Sequence, residues 1–422
     1  MTFKTIDDLD PGQRVLVRLD LNSPVSDDGT VQDNRRFDRH AETVRELAER
    51  GDRVVCMAHQ GRPGDDDFVS LRQHADILAE HVAADVHFVP DTYGPEAVEA
   101  IESLGDGEIL LLENVRMCED ELPEADPEAK GDTEFVRTLA PEFDAYVNDA
   151  YSAAHREHAS LVGFPLVLPS YAGRVMETEY EANTAIASRT FDGQVTMVVG
   201  GTKATDVISV MEALDETVDR FLLGGIAGEL FLRAAGYPVG EDVEGMDLFD
   251  DQWEANADTI REVLDERGDA ITLATDLAYE DEDGERAEID VEEIEEKTQG
   301  FLDVGTETVE TYAPIIRDSE AVFVKGALGL FEDERFSKGT VGVLEAIAET
   351  DCFSVVGGGD TSRAIEMYGL SEEDFSHVSI AGGAYIRALT GEPLPPWKCW
   401  RRHIEERGNW RAPRTCERGD AP

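Results

Sequence analysis

The sequence predicts an α/β protein built from two doubly wound parallel-sheet domains, and three observations favour this fold class. Short runs rich in Val, Ile and Leu alternate with amphipathic segments along the chain, as expected when helices cover both faces of a parallel sheet. With 422 residues, the chain is too long for one ordinary core. A stretch with two prolines at 163–173 interrupts the alternation near the middle of the chain.

The predicted strands fall into two series. Those of the first half are 14–21, 53–59, 86–90, 108–113 and 145–150, and those of the second half are 195–201, 220–225, 270–277, 321–327 and 353–359. Helical patterns such as 39–50 and 258–268 lie between them. We therefore predict a first domain over 1–170, a hinge helix over 171–189, a second domain over 190–384 and a C-terminal segment over 385–422. The acidic stretch 281–296 is expected to be a solvated surface segment of the second domain.

Acidic residues dominate the composition: 92 Asp and Glu against 37 Lys and Arg give a formal net charge of −55. The acids are spread along the chain, as in proteins that stay hydrated in concentrated salt, where the screening length at about 1 M falls to roughly 3 Å. Such a surface repels phosphodiester backbones, so nucleic acid is not expected as a partner. Only 7 of the cations are Lys, which makes each Lys a candidate for a specific task.

The sequence indicates a cytoplasmic protein. The sequence contains no run of about 18 apolar residues, so we predict no transmembrane helix. The N-terminus lacks the basic and apolar regions of a signal peptide. The five Cys form neither a CxxC pair nor a metal-ligand spacing, as expected in a reducing compartment. Neither membrane contact nor an obligate protein partner is expected.

Polar and cationic residues follow the predicted strands of the first half, where an open α/β sheet binds its ligand. Several arginines converging on one crevice suit a small molecule with phosphate and carboxylate groups, because the planar guanidinium binds such groups bidentately. A single strand-end Arg is more often part of a surface ion pair, but repetition at strand after strand favours a binding site. The candidates are Asp20, Asn22, Arg35, His59, Arg62, Asn114, Arg116, Asp149, His155 and Arg156.

Glycine-rich loops follow the strands of the second half: GGTK at 200–203, GGIAG at 224–228, KGALG at 325–329 and GGGDT at 357–361. Glycine lets the backbone approach a ligand and helix N-termini favour phosphate, so four such loops indicate a nucleotide site. Asp360 is the natural partner of Mg²⁺, which takes one or two carboxylates together with substrate phosphates. The absence of GxxxxGK[ST], and of GxGxxG opening a βαβ unit, argues against a P-loop enzyme and a dinucleotide dehydrogenase.

Eight segments in order make the chain resemble the phosphoglycerate kinases, from its N-terminus to about residue 396. They are RLDLNSP (18–24), AHQGRP (58–63), LLENVRM (111–117), VNDAYSAAHREHAS (147–160), VVGGTKATD (198–206), GLFE (329–332), GGGDT (357–361) and HVSIAGGA (377–384). That family transfers a phosphoryl group between 1,3-bisphosphoglycerate and Mg·ADP, giving 3-phosphoglycerate and ATP, in glycolysis and gluconeogenesis. The resemblance implies two Rossmann-like domains whose sites face each other across a closing cleft, and the acidic composition indicates an archaeal, salt-adapted member.

The resemblance also implies roles for individual residues. It assigns 3-phosphoglycerate binding to Asp20, Leu21, Asn22, Arg35, His59, Gln60, Gly61, Arg62, Arg116 and Arg156. It assigns nucleotide binding to Lys203, Glu332, Gly358, Gly359, Asp360 and Thr361, with Glu332 on the ribose and Asp360 on the metal. Arg35 and Lys203 are expected to stabilise the moving phosphoryl group, and the attacking carboxylate, already ionised, needs no general base. His155 and His158 either shape the basic pocket or have structural roles.

The chain departs from the family pattern at three places. Many members have a second Lys four positions after Lys203, where this chain has Val207, and many have Asn where this chain has Lys325. The run SIAGGA replaces one richer in glycine. We expect Lys325 to supply the positive charge that Val207 cannot, which makes Lys325 the third catalytic candidate.

Two rival functions stay open on the sequence alone. One is another two-domain enzyme that acts on sugar phosphates, and the other is a non-catalytic nucleotide-binding or scaffolding protein, which Val207 would suit.

The end of the chain, from Lys398 onward, is basic and aromatic, unlike everything before it. It is a segment folding back on the first domain, a tail that binds nucleic acid, or an artefact of the reading frame.

Overall fold

The structure, a computed structural model, describes residues 3–122, 125–240, 249–295 and 300–406, the last six of these by their backbone alone. The chain divides into two compact units. The first unit comprises the described residues of Met1–Thr178 and Pro393–Pro422, and the second comprises those of Glu179–Glu392. Among the described helices, none has the length and apolar character needed to cross a lipid bilayer.

A six-stranded parallel sheet forms the centre of the first unit, in the order β3-β4-β2-β1-β5-β6. Its strands are β1 (Arg14–Arg18), β2 (Arg53–Met57), β3 (Val86–Phe88), β4 (Ile109–Leu111), β5 (Ala145–Asn148) and β6 (Ser170–Ala172). Nearly continuous apolar runs form β1, β2, β4 and β5 because both faces of the sheet are covered. The strand order reverses between β1 and β5, and ligands bind at such a switch point in open α/β sheets.

Helices cover this sheet on both sides. They are α1 (Arg35–Glu49), α2 (Arg72–Val82), α3 (Pro95–Ser103), α4 (Pro127–Gly131), α5 (Glu134–Leu139) and α6 (Phe164–Val167). The helix α1 starts after Asn34, whose side chain accepts a hydrogen bond from Arg36 N, and it buries Phe37, Ala41 and Val44. A π-turn at Ala159–Gly163 precedes α6.

A second six-stranded parallel sheet, in the order β15-β14-β13-β7-β8-β9, forms the centre of the second unit. Its strands are β7 (Val195–Val199), β8 (Arg220–Leu223), β9 (Ile271–Thr272), β13 (Ala321–Lys325), β14 (Phe353–Gly357) and β15 (His377–Val378). The order reverses between β7 and β13, which puts a second switch point at the ends of these two strands. Two six-stranded parallel sheets covered by helices confirm the predicted fold class.

The helices that follow along the chain begin with the predicted hinge. The segment predicted as one helix over 171–189 contains the end of β6 and two helices, α7 (Arg174–Asn183) and α8 (Ala185–Ser188). The helices of the second unit that follow are α9 (Ala204–Ala213), α10 (Gly225–Ala234), α11 (Phe249–Arg267), α12 (Thr306–Arg317), α13 (Lys338–Ala348), α14 (Gly359–Met367) and α15 (Gly383–Leu389).

The acidic stretch 281–296 lies mostly at the surface in its described part, 281–295, where seven acidic residues are exposed and only Val291 and Ile294 are buried, but it is also structured. This region supplies β11 (Arg286–Asp290) of a small antiparallel sheet, whose other strands are β10 (Asp276–Glu280) and β12 (Asp303–Val304). Arg286 is 8% exposed by its side chain, and it donates at 2.9 Å to both Asp303 Oδ2 and Val304 O. One buried ion pair therefore anchors a strand of this largely exposed acidic segment.

The last described helix, α16 (Pro395–Glu406), belongs to the first unit and packs on α6 and the π-turn. Cys399 lies in a small apolar cluster with Ala150, Ala153, Leu161 and Val162, and Trp397 stacks on Phe3 with ring centroids 5.7 Å apart. This helix includes the start of the basic, aromatic end of the chain. The rest of that end, 407–422, lies outside the described residues.

Candidate active site

Asp20 lies in a buried polar region of the first unit, just beyond the end of β1. Its carboxylate accepts hydrogen bonds from the Arg36 guanidinium and from the Ser152 hydroxyl. Burial raises its pKa, but the Arg36 guanidinium and the Ser152 hydroxyl outweigh burial and hold the pKa well below its ordinary value. Asp20 is therefore an ionised carboxylate that fixes the side chain of Arg36.

Arg18, the last residue of β1, is a buried cation in the same region, with 1% exposure. Its guanidinium donates to the Ser160 hydroxyl at 2.8 Å and to His59 Nδ1 at 3.2 Å. Because Arg has no acceptor, Nδ1 must accept, so His59 is neutral and carries its proton on Nε2. Burial lowers the pKa of His59 well below its ordinary value, in agreement with this form. His59 Nε2–H is thus a hydrogen-bond donor.

Gln60 and Asn114 organise the loop that follows β2. Gln60 Oε1 accepts from Ser23 N at 2.8 Å, and Gln60 Nε2 donates to Ser23 O at 2.9 Å. Asn114 Nδ2 donates to Gln60 O at 2.8 Å. Leu21 is fully buried in the core. Gln60 and Asn114 therefore shape this loop, whereas Leu21 belongs to the core.

Gly61 occupies a position in this loop that only glycine fits. Its φ is +62°, and an added Cβ would lie 2.5 Å from the Asp67 backbone. Gly61 N donates to Asn22 Oδ1 at 2.9 Å, and its carbonyl accepts from the Arg116 guanidinium. The N–H and the carbonyl of one glycine thereby hold Asn22 and Arg116.

Glu121 is a fully buried carboxylate that the sequence analysis did not single out. Its Oε1 accepts from the Ser160 hydroxyl at 2.7 Å and its Oε2 from Ser160 N at 2.8 Å, while His158 Nδ1 lies 3.6 Å away. Burial, with Arg156 next, lowers the pKa of His158 to about 3, so His158 is neutral. Burial, followed by repulsion from Arg156 and Arg18, lowers the pKa of Arg116 to about 10.

Positive charge is therefore in excess in this region, although the chain as a whole is strongly acidic. Four guanidiniums stand against two carboxylates, which leaves a surplus of two positive charges in partly dry surroundings. A dianionic ligand would relieve the mutual repulsion of these groups. We call this set of residues the arginine cluster: Arg18, Asp20, Arg36, Arg116, Glu121 and Arg156.

The other predicted residues of the first unit have different positions. Arg36, the next residue after Arg35 on α1, is the partner of Asp20, and successive helix residues point about 100° apart. Arg62 is exposed, and His155 is half-buried. Asp149 accepts from Val175 N at 2.9 Å and faces His40 Nδ1 at 2.8 Å, so it caps the start of α7.

Sequence reasoning missed Arg18, Arg36 and Glu121. The sequence did contain a signal for Arg18. An Arg inside the apolar run RVLVRLDL is expected to be buried, and a buried charge is costly unless it has partners. The adjacent pair Arg35–Arg36 offered two cations, and only the helix phase separates them. Nothing local distinguishes Glu121 from the 91 other acids of the chain.

In the second unit, the glycine-rich loops meet through backbone hydrogen bonds at the carboxyl ends of β7, β8 and β13. Gly200 N donates to Lys325 O at 2.8 Å, Gly201 N to Ala327 O at 2.8 Å and Gly225 N to Leu328 O at 2.9 Å. An added Cβ on Gly200 would lie 2.1 Å from Ala327 O. Glycine is therefore required for the GGTK and KGALG loops to pack together.

A cavity of about 250 Å³ opens beside these loops. Its wall is mostly apolar side chains and bare glycine backbone, which suits a flat heterocyclic base. Thr202, Glu332 and Asp360 supply polar groups to the lining. The apolar part of the wall includes Ala274, Leu277, Phe301, Leu328 and Phe331.

Three helices start at this edge of the sheet, each directly after a glycine-rich loop. Lys203 is the exposed N-cap of α9, Gly224 precedes α10, and Gly358, with φ of +110°, precedes α14. Helix N-termini present free N–H groups and partial positive charge, so they favour phosphate. The predicted residues Gly358, Gly359, Asp360 and Thr361 all lie at the N-terminus of α14.

Asp360 fits a metal held partly by a ligand. It is exposed in the first turn of α14, whereas no group of three or more His, Cys, Asp and Glu that could hold an ion alone occurs in the part of the chain that the structure describes. Mg²⁺ keeps few protein ligands and takes phosphate oxygens for the rest. Asp360 with nucleotide phosphates is such a donor set.

Lys325 and Val207, the two departures from the family pattern, differ sharply in their surroundings. Val207 is fully buried on α9. Lys325 Nζ lies 3.3 Å from Asp206 Oδ2, and the Lys325 side chain is 13% exposed.

Comparisons with known proteins agree with this arrangement. The family model described as phosphoglycerate kinase matches residues 6–392. The phosphoglycerate kinase of Halorubrum lacusprofundi is 78% identical over 393 residues, covering 93% of this chain and 96% of the relative, and that of Haloarcula marismortui is 74% identical over 394 residues, covering 93% and 98%. Both relatives come from halophilic archaea, as the acidic composition predicted. The crystal structure of phosphoglycerate kinase from Pyrococcus horikoshii OT3 is 33% identical with a TM-score of 0.87, covering 96% of this chain and all of that chain. The chain belongs to the phosphoglycerate kinase family.

Proposed function

We propose that the chain transfers a phosphoryl group between the carboxyl group of 3-phosphoglycerate and Mg·ADP, so that 1,3-bisphosphoglycerate and ADP give 3-phosphoglycerate and ATP. The observation that carries this proposal is the positive surplus of the arginine cluster in a chain of net charge −55. Family membership supports the same reaction.

The acidic substrate belongs to the first unit in this proposal. Arg18, Arg36, Arg116 and Arg156 supply guanidiniums for its phosphate and carboxylate, and His59 donates through Nε2. Arg62 is exposed on the loop that Gly61 shapes, so it can reach a ligand at the mouth of the site. For the catalytic cation we propose Arg36 in preference to the Arg35 of the sequence prediction, because Asp20 fixes Arg36.

The nucleotide belongs to the second unit. The base occupies the 250 Å³ cavity, Glu332 on its lining accepts from the ribose, and the phosphates lie over the N-termini of α9 and α14 beside Lys203. Mg²⁺, held by Asp360 and the phosphates, supplies charge neutralisation when bound.

The chemistry requires position and charge more than covalent help. An ionised carboxylate attacks the terminal phosphoryl group in one direction and leaves it in the other, so no proton has to move. Preorganised cations stabilise the charge that gathers on the equatorial oxygens. The cytoplasmic setting stays a prediction from the sequence.

A coupled assay with 3-phosphoglycerate and Mg·ATP, run at low and at molar KCl, tests the reaction. We expect turnover at molar KCl, and its absence in both conditions would contradict the proposal. Arg156→Ala supplies the second test: the KM for 3-phosphoglycerate should rise on the order of ten- to a hundredfold with the nucleotide affinity retained. An unchanged KM would remove Arg156 from the site.

A further inference from the structure

Lys325 stands at the centre of the carboxyl edge of the second sheet. It is the last residue of β13, and its register partners are Val199 at the end of β7 and Gly357 at the end of β14. The GGTK loop starts directly after Val199, and the GGGDT loop starts at Gly357. Lys325 therefore emerges between the two loops to which the proposed function assigns the nucleotide phosphates.

The amine of Lys325 points toward the start of α9. Nζ lies 3.3 Å from Asp206 Oδ2, in the first turn of α9, and 4.0 Å from the place of a Cβ on Gly201. Gly201 also lines the 250 Å³ cavity. The amine is thus within reach of a phosphate bound at the start of α9.

The Asp206 side chain keeps a longer contact with this amine than most charge-assisted hydrogen bonds, which measure about 2.7–2.9 Å. Asp206 is 28% exposed by its side chain and Lys325 is 13% exposed, so the pair borders solvent. A Lys ammonium is a compact charge on a flexible stem, and it can exchange one anionic partner for another by rotation. Asp206 can therefore position the amine of Lys325 until a phosphate binds.

The residues of α9 itself, Ala204–Ala213, include no Lys or Arg that could put a positive charge next to Asp206. Val207 is fully buried there, together with Ala204 and Met211. Apart from Lys203, the N-cap of α9, a positive charge at this place has to come from a neighbouring element, and Lys325 on β13 supplies one.

We propose that Lys325 is a catalytic residue that contacts the transferring phosphoryl group and that Asp206 is the positioning residue that holds its amine in the free enzyme. The inference rests on the proposed function. It predicts that loss of the Lys325 charge affects the rate of transfer rather than the binding of 3-phosphoglycerate, because the acidic substrate belongs to the first unit.

Lys325→Met tests the charge, since Met has a similar unbranched length. We expect kcat at saturating Mg·ATP to fall about 10²-fold, as after removal of one preorganised donor, with the KM for 3-phosphoglycerate within about twofold of wild type. Lys325→Arg should recover part of the rate. The matched control is Lys338→Met, because Lys338 is an exposed Lys of the same unit whose Nζ also faces a carboxylate, Glu288, at 3.8 Å. It should leave kcat unchanged.

Asp206→Asn tests the positioning role of Asp206. We expect a smaller loss of kcat than for Lys325→Met, and the double variant should equal Lys325→Met alone because both changes act through one amine. A merely structural ion pair would instead lower Tm in both single variants and leave kcat intact, which would overturn the inference. The outcome is separable from the proposed function: wild type without turnover contradicts both, whereas wild-type turnover with full kcat in Lys325→Met contradicts only the role of Lys325.

Discussion

The two units present their candidate binding groups in different ways. In the first unit the groups belong to long side chains, mainly guanidiniums, that buried carboxylates and hydroxyls hold in place. In the second unit they belong mostly to backbone: glycine loops, helix N-termini and an apolar cavity, with a few charged residues at the edge. We therefore expect ligand binding in the first unit to be lost when a side chain is shortened. In the second unit we expect it to be lost when a side chain is added to a glycine.

This difference has an electrostatic reason. The arginine cluster has to keep a positive surplus inside a chain of net charge −55, and full charges on fixed side chains achieve this. Phosphates at a helix N-terminus need only N–H groups and partial charge, which any sequence provides once the loop is small enough. The contrast leads to substitutions at four positions beyond Lys325, namely Arg36, Gly200, His74 and Glu121, each of which should affect one unit and spare the other.

The largest effect is expected from Arg36→Ala compared with Arg35→Ala. Arg36 is bonded to the ionised Asp20, so its loss removes a preorganised cation and leaves a buried carboxylate without its main partner. We expect kcat/KM for 3-phosphoglycerate to fall about 10²- to 10³-fold, while ADP affinity measured by calorimetry stays the same. Arg35→Ala should have the smaller effect of the two. The reverse order would return the catalytic assignment to Arg35.

Gly200→Ala is the corresponding change in the second unit. A Cβ would lie 2.1 Å from Ala327 O, so the GGTK and KGALG loops must separate, at a cost of about 1–3 kcal/mol in unfolding free energy. ADP affinity should fall on the order of tenfold, and the affinity for 3-phosphoglycerate should be retained. Gly268→Ala is the matched control, because a Cβ there meets nothing within 4 Å. Equal ADP affinity in both variants would show that the loops tolerate separation.

Much of this architecture was accessible from sequence. The apolar runs predicted the two parallel sheets, because a strand that is buried on both faces is apolar at nearly every position, as RVVCM of β2 is. The glycine loops indicated a nucleotide site because four of them recur at strand ends, where glycine lets the backbone approach a ligand and a helix N-terminus favours phosphate.

Other features depend on the third dimension. Arg35 and Arg36 are chemically identical neighbours that only the phase of α1 distinguishes. The strand β11 was hidden by its acidity, and Arg286, which anchors it, pairs with Asp303, which is 17 residues away. Glu121 is recognisable only by the Ser160 contacts that a remote segment brings to it.

The pH dependence of stability should also separate the units. Seven of the nine His precede Thr178, and His74 among them is fully buried, with a pKa that burial lowers to about 4. An unfolded His binds its proton near pH 6.5, so stability is fully present above that pH and falls as the pH drops toward 4. From this pKa we expect His74 to contribute about 2 kcal/mol to the unfolding free energy lost between pH 7 and pH 5.

His74→Gln should flatten this slope, as followed by chemical denaturation at molar KCl from pH 7 to pH 5. His87→Gln is the control, because His87 is exposed on β3 of the same unit. Hydrogen exchange should show acid-induced opening first in the first unit. An unchanged slope in His74→Gln would mean that another group dominates the acid response.

The smallest expected effect concerns Glu121, where charge and position act in opposite directions. The carboxylate positions Ser160, and Ser160 Oγ accepts from Arg18, but the same negative charge reduces the surplus that attracts a dianion. Glu121→Gln removes the charge, keeps an oxygen that accepts from Ser160 N and offers an NH₂ group that can donate to Ser160 Oγ, so the KM for 3-phosphoglycerate should fall roughly two- to fivefold while Tm also falls. Glu121→Ala removes the bonds as well, frees Ser160 and Arg18, and should raise that KM. Steady-state kinetics on the two variants distinguish these effects, and a shift of KM in the same direction in both would refute the balance of charge and position that we assign to Glu121.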